Sequence, residues 1–118
     1  MTLSNTFKEL KTIIQPYEKY CTCSRNESDA FLLSTEHIMK NGKPLFFGAV
    51  NLKKNYVSFH LMPVYVNPEL LLDISEKLKK RMQGKSCFNF KTIDDELFTE
   101  LSELTEVGYQ YYKKEEFI

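Results

Sequence analysis

Charge imbalance is the first thing missing from this sequence: sixteen Lys and Arg residues meet sixteen Asp and Glu residues in 118 positions. A balanced chain lacks the sequence-independent pull on nucleic acid that a strongly basic domain has, so no nucleic-acid partner is expected. Long apolar runs are missing too. The longest stretch free of Asp, Glu, Lys and Arg covers residues 55–68, fourteen positions that include His60 and two prolines. That is too short and too broken to span a bilayer, and no membrane partner is expected. The N-terminus carries Lys8, Glu9 and Lys11 in an amphipathic pattern, in place of the apolar core of a secretory signal. Cysteine is sparse and odd in number, with Cys21, Cys23 and Cys87. A disulfide framework normally uses an even count, so a reducing, cytoplasmic setting is the expectation.

Catalytic residue types are equally thin. There are two histidines and no serine-elbow motif to accompany them, which leaves little for hydrolase chemistry. A cysteine nucleophile needs an activated thiolate, and nothing beside the three cysteines supplies one. These gaps point toward a non-enzymatic protein.

What is present is a normal globular composition, 42% hydrophobic and 27% charged, with enough chain for one domain over residues 1–118. Such a domain buries about two-thirds of its unfolded surface around a single core. Residues 3–15 read as a helix, with Leu3, Phe7, Leu10 and Ile14 at intervals of three and four. Thr2, Ser4 or Thr6 opens it and Pro16 marks its end. Short strands are expected at 19–25 and 30–35 around a turn at 26–29, and a further turn falls at Asn41-Gly42-Lys43. Two strands, 45–53 and 56–64, then form an antiparallel hairpin. Asn67-Pro68 suits the cap and first position of a middle helix. Its apolar stripe is Leu71, Ile74, Leu78 and Met82, and its basic last turns (residues 77–81) complement the helix dipole. Gly84 ends that helix. Residues 86–91 form a strand with Phe88 and Phe90 on one side. A last helix starts at about Asp94 and buries Leu97, Leu101, Leu104 and Gly108. The expected architecture is α+β: an antiparallel sheet of about five strands packed against N-terminal, middle and C-terminal helices.

The tripeptide Gly84-Lys85-Ser86 matches the end of a phosphate-binding P-loop. The full motif requires glycine five positions earlier and a loop that leaves a strand and enters a helix. Here Lys79 occupies the earlier position, a helix is expected before Gly84, and a strand after Ser86. The negative end of that helix would face the loop and repel phosphate. The triplet reads as punctuation between elements.

Three constellations remain. Cys21-Thr22-Cys23 on a strand puts both sulfurs on one face, and Cys87 or His60 would have to fold alongside to make a soft metal site. The ligand set is incomplete, and small buried side chains in a sheet are the expected role. Acidic residues crowd the last helix, where they complement the positive end of the dipole. Third, in NYVSFHLMPVY the residues Val57, Phe59 and Leu61 alternate with Tyr56, Ser58 and His60. If the apolar set meets the helices, Tyr56, Ser58, His60 and Met62 face the other side of the sheet. Three helices cover one sheet face readily and two only with help from loops. An uncovered face would bind a small molecule, a protein partner or a second copy in a homodimer.

Over about residues 42–112, the segments GKPLFFGAV, KKNYVSFHLMPVY and LLLDISEKLKKRMQGKSCFNFKTIDDELFTELSELTEVGYQYY resemble the YdhG-like domain family of small bacterial proteins. The resemblance implies the same α+β fold, and it implies no particular activity, because most members have none assigned. Some relatives from Gram-positive bacteria are described as frataxin-like iron chaperones, so an intracellular iron chaperone is the alternative that the resemblance raises. Frataxins use acidic residues on the first helix and the strand edge that follows. Here the first helix has only Glu9, with Glu18 beyond Pro16, and the dense acidity lies at Asp94, Asp95, Glu96 and Glu100. Iron would have to use those carboxylates, whose hard oxygens suit it. No other cofactor is expected.

Overall fold

A computed structural model describes residues 2–118. The Thr2 hydroxyl accepts from the Asn5 N–H at 3.2 Å and so caps helix α1, Leu3–Ile14. Pro16 does not stop the helical path. It sits in the first turn of a 3-10 segment, Gln15–Tyr20, where its missing N–H costs nothing. Four strands follow: β1 (Thr22–Glu27), β2 (Ala30–Ile38), β3 (Pro44–Leu52) and β4 (Val57–Leu61). After a short helix α2 (Met62–Val66), a 3-10 turn (Pro68–Leu71) and a single-turn helix α3 (Glu76–Lys79) come β5 (Met82–Gln83) and β6 (Cys87–Phe90). Helix α4 (Asp95–Lys114) closes the chain. The six strands form one antiparallel sheet in the order β1-β2-β3-β4-β6-β5. The fold is α+β, as expected.

One face of that sheet is the core. Phe31, Val50, Phe59 and Phe88 stand opposite one another across four strands, all fully buried. Each such side chain contributes roughly 1.5–3 kcal/mol of burial. The adjacent row is Leu33, Gly48 and Leu61, and Ile14 of α1 lies over Gly48. Helix α4 packs through edge-on aromatic pairs, Phe98 on Phe90 at 5.0 Å and Tyr112 on Phe47 at 5.8 Å. The Tyr112 hydroxyl also donates to the Phe46 carbonyl at 3.1 Å. Gly108 permits the closest approach: a Cβ there would lie 2.9 Å from the Pro63 ring of α2.

Three expectations need correction. The strand expected at 56–64 stops at Leu61, because Pro63 enters the first turn of α2. The single middle helix is in fact two short helical pieces, the turn Pro68–Leu71 and α3, followed by strand β5. Asn67 opens a turn as expected, accepting from the Glu69 N–H, but Ser75 starts afresh. Its hydroxyl caps α3 through the Leu78 N–H at 3.1 Å. Its own N–H and O–H donate to Glu100 of α4 at 2.7 and 2.6 Å, and this competition with the backbone breaks the helix. Leu71, Ile74, Leu78 and Met82 all still pack on the core, so the stripe was a record of burial more than of one helix. Last, the sheet has six strands, not five. Met82 and Gln83 pair with Phe88 and Cys87, which makes Gly84-Lys85-Ser86 the turn of a hairpin. Gly84 has φ +78°, a left-handed conformation that glycine adopts without strain. The dipole expected to repel phosphate there belongs to one helical turn and is correspondingly small.

Candidate functional site

The strands that send phenylalanines inward send a different set outward. Opposite one another on the outer face lie Leu32, Ala49, His60 and Cys87, followed by Gln83. The next row is Ala30, Asn51, Ser58 and Asn89. Among the described residues no helix packs on these rows; α1, α2 and α4 all lie on the core side. Leu32, Phe46, Tyr56 and Cys87 are only partly covered and stand outside the core cluster. Tyr56, Ser58 and His60 therefore point to the same face, where Tyr56 and His60 are partly covered and Ser58, between larger neighbours, is only 9% exposed. Met62 does not join them, because it opens α2 and packs against the core.

His60 is the most constrained group on this face. Its Nε2 shares a hydrogen bond of 2.6 Å with the Ser86 hydroxyl, and the Phe46 ring meets it edge-on at 4.7 Å. Burial holds the imidazole below its usual titration range, so it is neutral at pH 7. Ser86 is only 6% exposed and its carbonyl accepts from the Leu61 N–H. Cys87 lies directly across from His60, yet the imidazole bonds to Ser86 instead, and no acid orients its other nitrogen. A nucleophile needs both a base in contact and a third group holding that base. The arrangement sets a neutral imidazole against a serine hydroxyl that is itself buried.

Two depressions open on the same side and share three residues. The narrower, about 190 Å³, is lined by Tyr56, Ser58, Gln83, Cys87 and Asn89. The wider, about 340 Å³, adds Lys80, Arg81, Met82 and Lys91 to Tyr56, Gln83 and Asn89. Asn89 donates to the Gln83 side-chain oxygen, which leaves the Gln83 amide N–H groups and the Asn89 oxygen facing outward. Lys91 follows β6 directly, across from Tyr56, because Val57 pairs with Phe90. Sequence reasoning singled out Tyr56 and Ser58 here and missed Gln83, Asn89, Lys91 and the role of Lys80 and Arg81. One signal was present: if Phe88 and Phe90 point inward, Cys87, Asn89 and Lys91 point outward. The basic cluster was instead assigned to a helix dipole, because β5 is only two residues long and carries no strand signal.

Of the four carboxylates expected to serve iron, three make local contacts and Asp95 stands in the first turn of α4. Asp94 caps α4 through the Leu97 N–H at 3.1 Å, Glu96 lies 3.8 Å from Lys77, and Glu100 holds Ser75 by two hydrogen bonds. The thiols are divided as well. Cys21 and Cys23 pack toward the core, whereas Cys87 lies on the outer face beside His60. Burial raises the Cys21 thiol to about 11. Among the described residues no group of three or more His, Cys, Asp or Glu side chains is gathered where it could hold one metal ion. None of their helices is long and apolar enough to cross a membrane.

Fold and site together define an α+β domain with helices on one side of an antiparallel sheet and a bare, hollowed surface on the other. No family model, curated protein or solved structure matches the chain.

Proposed function

We propose that this chain is a non-enzymatic cytoplasmic binding domain, a YdhG-like one, that takes a small molecule on the outer face of its sheet at Tyr56 and Ser58, with His60 beside the hollows and lining neither. The observation that carries this is the meeting of two depressions at Tyr56, Gln83 and Asn89. That concave surface of mixed character is supported on paired strands. A second copy suits the face less well. Only one of its rows is apolar, Leu32 and Ala49 with Phe46 nearby, and the next, Ala30, Asn51, Ser58 and Asn89, is mostly polar, while the core of a stable dimer interface is predominantly apolar. Edge pairing is discouraged too. The β1 edge is interrupted between Cys23 and Arg25 and carries Arg25 and Glu27, and β5 offers two residues. No observation favours the iron chaperone over this reading.

The test is a thermal-shift screen of small cytoplasmic metabolites, run on the wild-type chain and on Tyr56→Ala, with sedimentation velocity alongside. The expected result is a monomer, stabilised by at least one compound, whose shift is lost in Tyr56→Ala. A dimer that Tyr56→Ala or His60→Ala dissociates, with no compound stabilising either species, would replace this reading with self-association.

A further inference from the structure

Building on the proposed use of this face, we infer that its ligand is a small phosphorylated molecule whose phosphoryl group sits against Lys80, Arg81 and Lys91. The wider depression is lined by these three cations and by no Asp or Glu. In a chain with equal numbers of acids and bases, that is a local segregation of charge. Nor are these cations paired elsewhere. The ion pairs among the described residues join Arg25 to Glu27, Lys77 to Glu96 and Lys79 to Glu76. An anion entering the hollow would meet three positive groups and no carboxylate.

The wall is held where it needs to be. The Arg81 carbonyl accepts from the Asn89 N–H at 2.8 Å, Met82 and Gln83 pair with β6, and Lys91 directly follows Phe90, the last residue of β6. Arg81 therefore hangs from hydrogen-bonded backbone and Lys91 from the residue next to a paired strand end, so binding has to order chiefly their side chains. The planar guanidinium offers parallel donors to two phosphoryl oxygens, while each lysine acts as a point charge. A lone carboxylate would leave most of this charge uncompensated, whereas a phosphoryl dianion matches it better.

The rest of the ligand has its own guides. Tyr56 lines both depressions, one with the cations and the other with Ser58 and Cys87, and its ring offers a stacking surface where they meet. Gln83 and Asn89 supply a free donor and a free acceptor. A phosphorylated compound with a planar ring thus finds charge at one end, a stacking surface in the middle and polar groups beyond. A polyanion is poorly served, because the next row holds Asn51, Ser58 and Asn89 and offers no cationic track for a nucleic-acid backbone. The Gly84-Lys85-Ser86 turn takes no part as a P-loop, since no helix begins there.

Calorimetric titration of the full chain with inorganic phosphate, inorganic pyrophosphate and phenyl phosphate tests this, with amide spectra confirming that each variant is folded. The expected result is saturable binding of pyrophosphate, weakened about tenfold or more by Arg81→Ala or Lys91→Ala and changed less than twofold by Lys77→Ala. Phenyl phosphate should bind more tightly than inorganic phosphate, and Tyr56→Ala should erase that gain. No saturable binding, equal weakening by Lys77→Ala, or a single-stranded oligonucleotide that outcompetes pyrophosphate would each overturn the inference. It also fails separately from the reading it rests on. A neutral ligand lost in Tyr56→Ala but indifferent to Arg81→Ala would keep the face and remove the phosphoryl group. Pyrophosphate binding that needs Arg81 while phenyl phosphate gains nothing from Tyr56 would leave an anion site detached from the face.

Discussion

Two faces of one sheet, built by the same strands one residue out of step, are treated by this fold in opposite ways. The inner face carries Phe31, Phe59 and Phe88 at zero exposure beneath α1 and α4. The outer face carries His60, Ser58, Asn51 and Asn89, and no helix covers it. Outward positions of a sheet facing only water need polarity and little else. This face instead holds an aromatic ring at Tyr56, an imidazole wedged between Phe46 and Ser86, and a thiol at Cys87. The difference teaches that the apolar packing that stabilises the fold is concentrated on one side of the sheet.

The contrast is sharpest in paired substitutions at Phe59 of β4 and at Tyr56, the residue just before that strand. Phe59→Ala should lower the unfolding free energy by about 3–5 kcal/mol, as expected for an aromatic removed from a close-packed core. Tyr56→Ala should cost less than about 1 kcal/mol, the range of a strand position with little burial. Denaturant titration of both variants measures this, and near-equal losses would break the comparison.

Next in size is Gly108→Ala. Alanine gains about 1 kcal/mol in helix propensity over glycine. The new Cβ, however, would stand 2.9 Å from the Pro63 ring, a rigid group that can retreat only with its backbone, at a typical overpacking cost of about 1–3 kcal/mol. Net destabilisation is expected, and a rise in melting temperature would contradict the close packing of α4 on α2. Tyr112→Phe follows. It deletes the hydrogen bond to the Phe46 carbonyl and should cost about 1 kcal/mol by denaturant titration.

The smallest effect concerns pH and belongs to the outer face. Burial lowers the His60 pKa in the folded state, so as the pH falls the unfolded chain takes up this proton first. The contribution of His60 to stability is fully present above the unfolded value of about 6.5 and declines as the pH drops toward the lowered folded value. The denaturation midpoint of the wild type should therefore fall more between pH 7.5 and pH 5.5 than that of His60→Gln. Equal falls would mean that the imidazole is as hydrated as in the unfolded chain.

Much of this was legible in the residues. Period-two alternation in 56–61 separated the two faces correctly, since Val57, Phe59 and Leu61 are buried and side-chain direction in a strand follows from parity alone. Asp94 could be read as the start of the last helix because a cap leaves a local chemical mark. The middle of the chain could not be read this way. Ser75 breaks the helix only because Glu100, twenty-five residues later, accepts its N–H and O–H, a tertiary effect that no local pattern encodes. The same gap hid half of the site. Once residues 82–83 are assigned to a helix, Lys80 and Arg81 become dipole partners, and the hollow they form with Lys91 and Tyr56 cannot be foreseen. Met62 was misplaced by extending the alternation one step beyond where Pro63 turns the chain.

The most direct test of whether the bare face is the binding surface is amide chemical-shift mapping of the whole chain against a panel of neutral, zwitterionic and phosphorylated ring compounds. Saturable shifts gathered at Tyr56, Ser58, Gln83, Cys87 and Asn89, joined by Lys80, Arg81 and Lys91 for the phosphorylated compounds, are predicted. Shifts that gather instead around Leu70, Leu104 and Val107 on the helical side, or none anywhere in the panel, would contradict it.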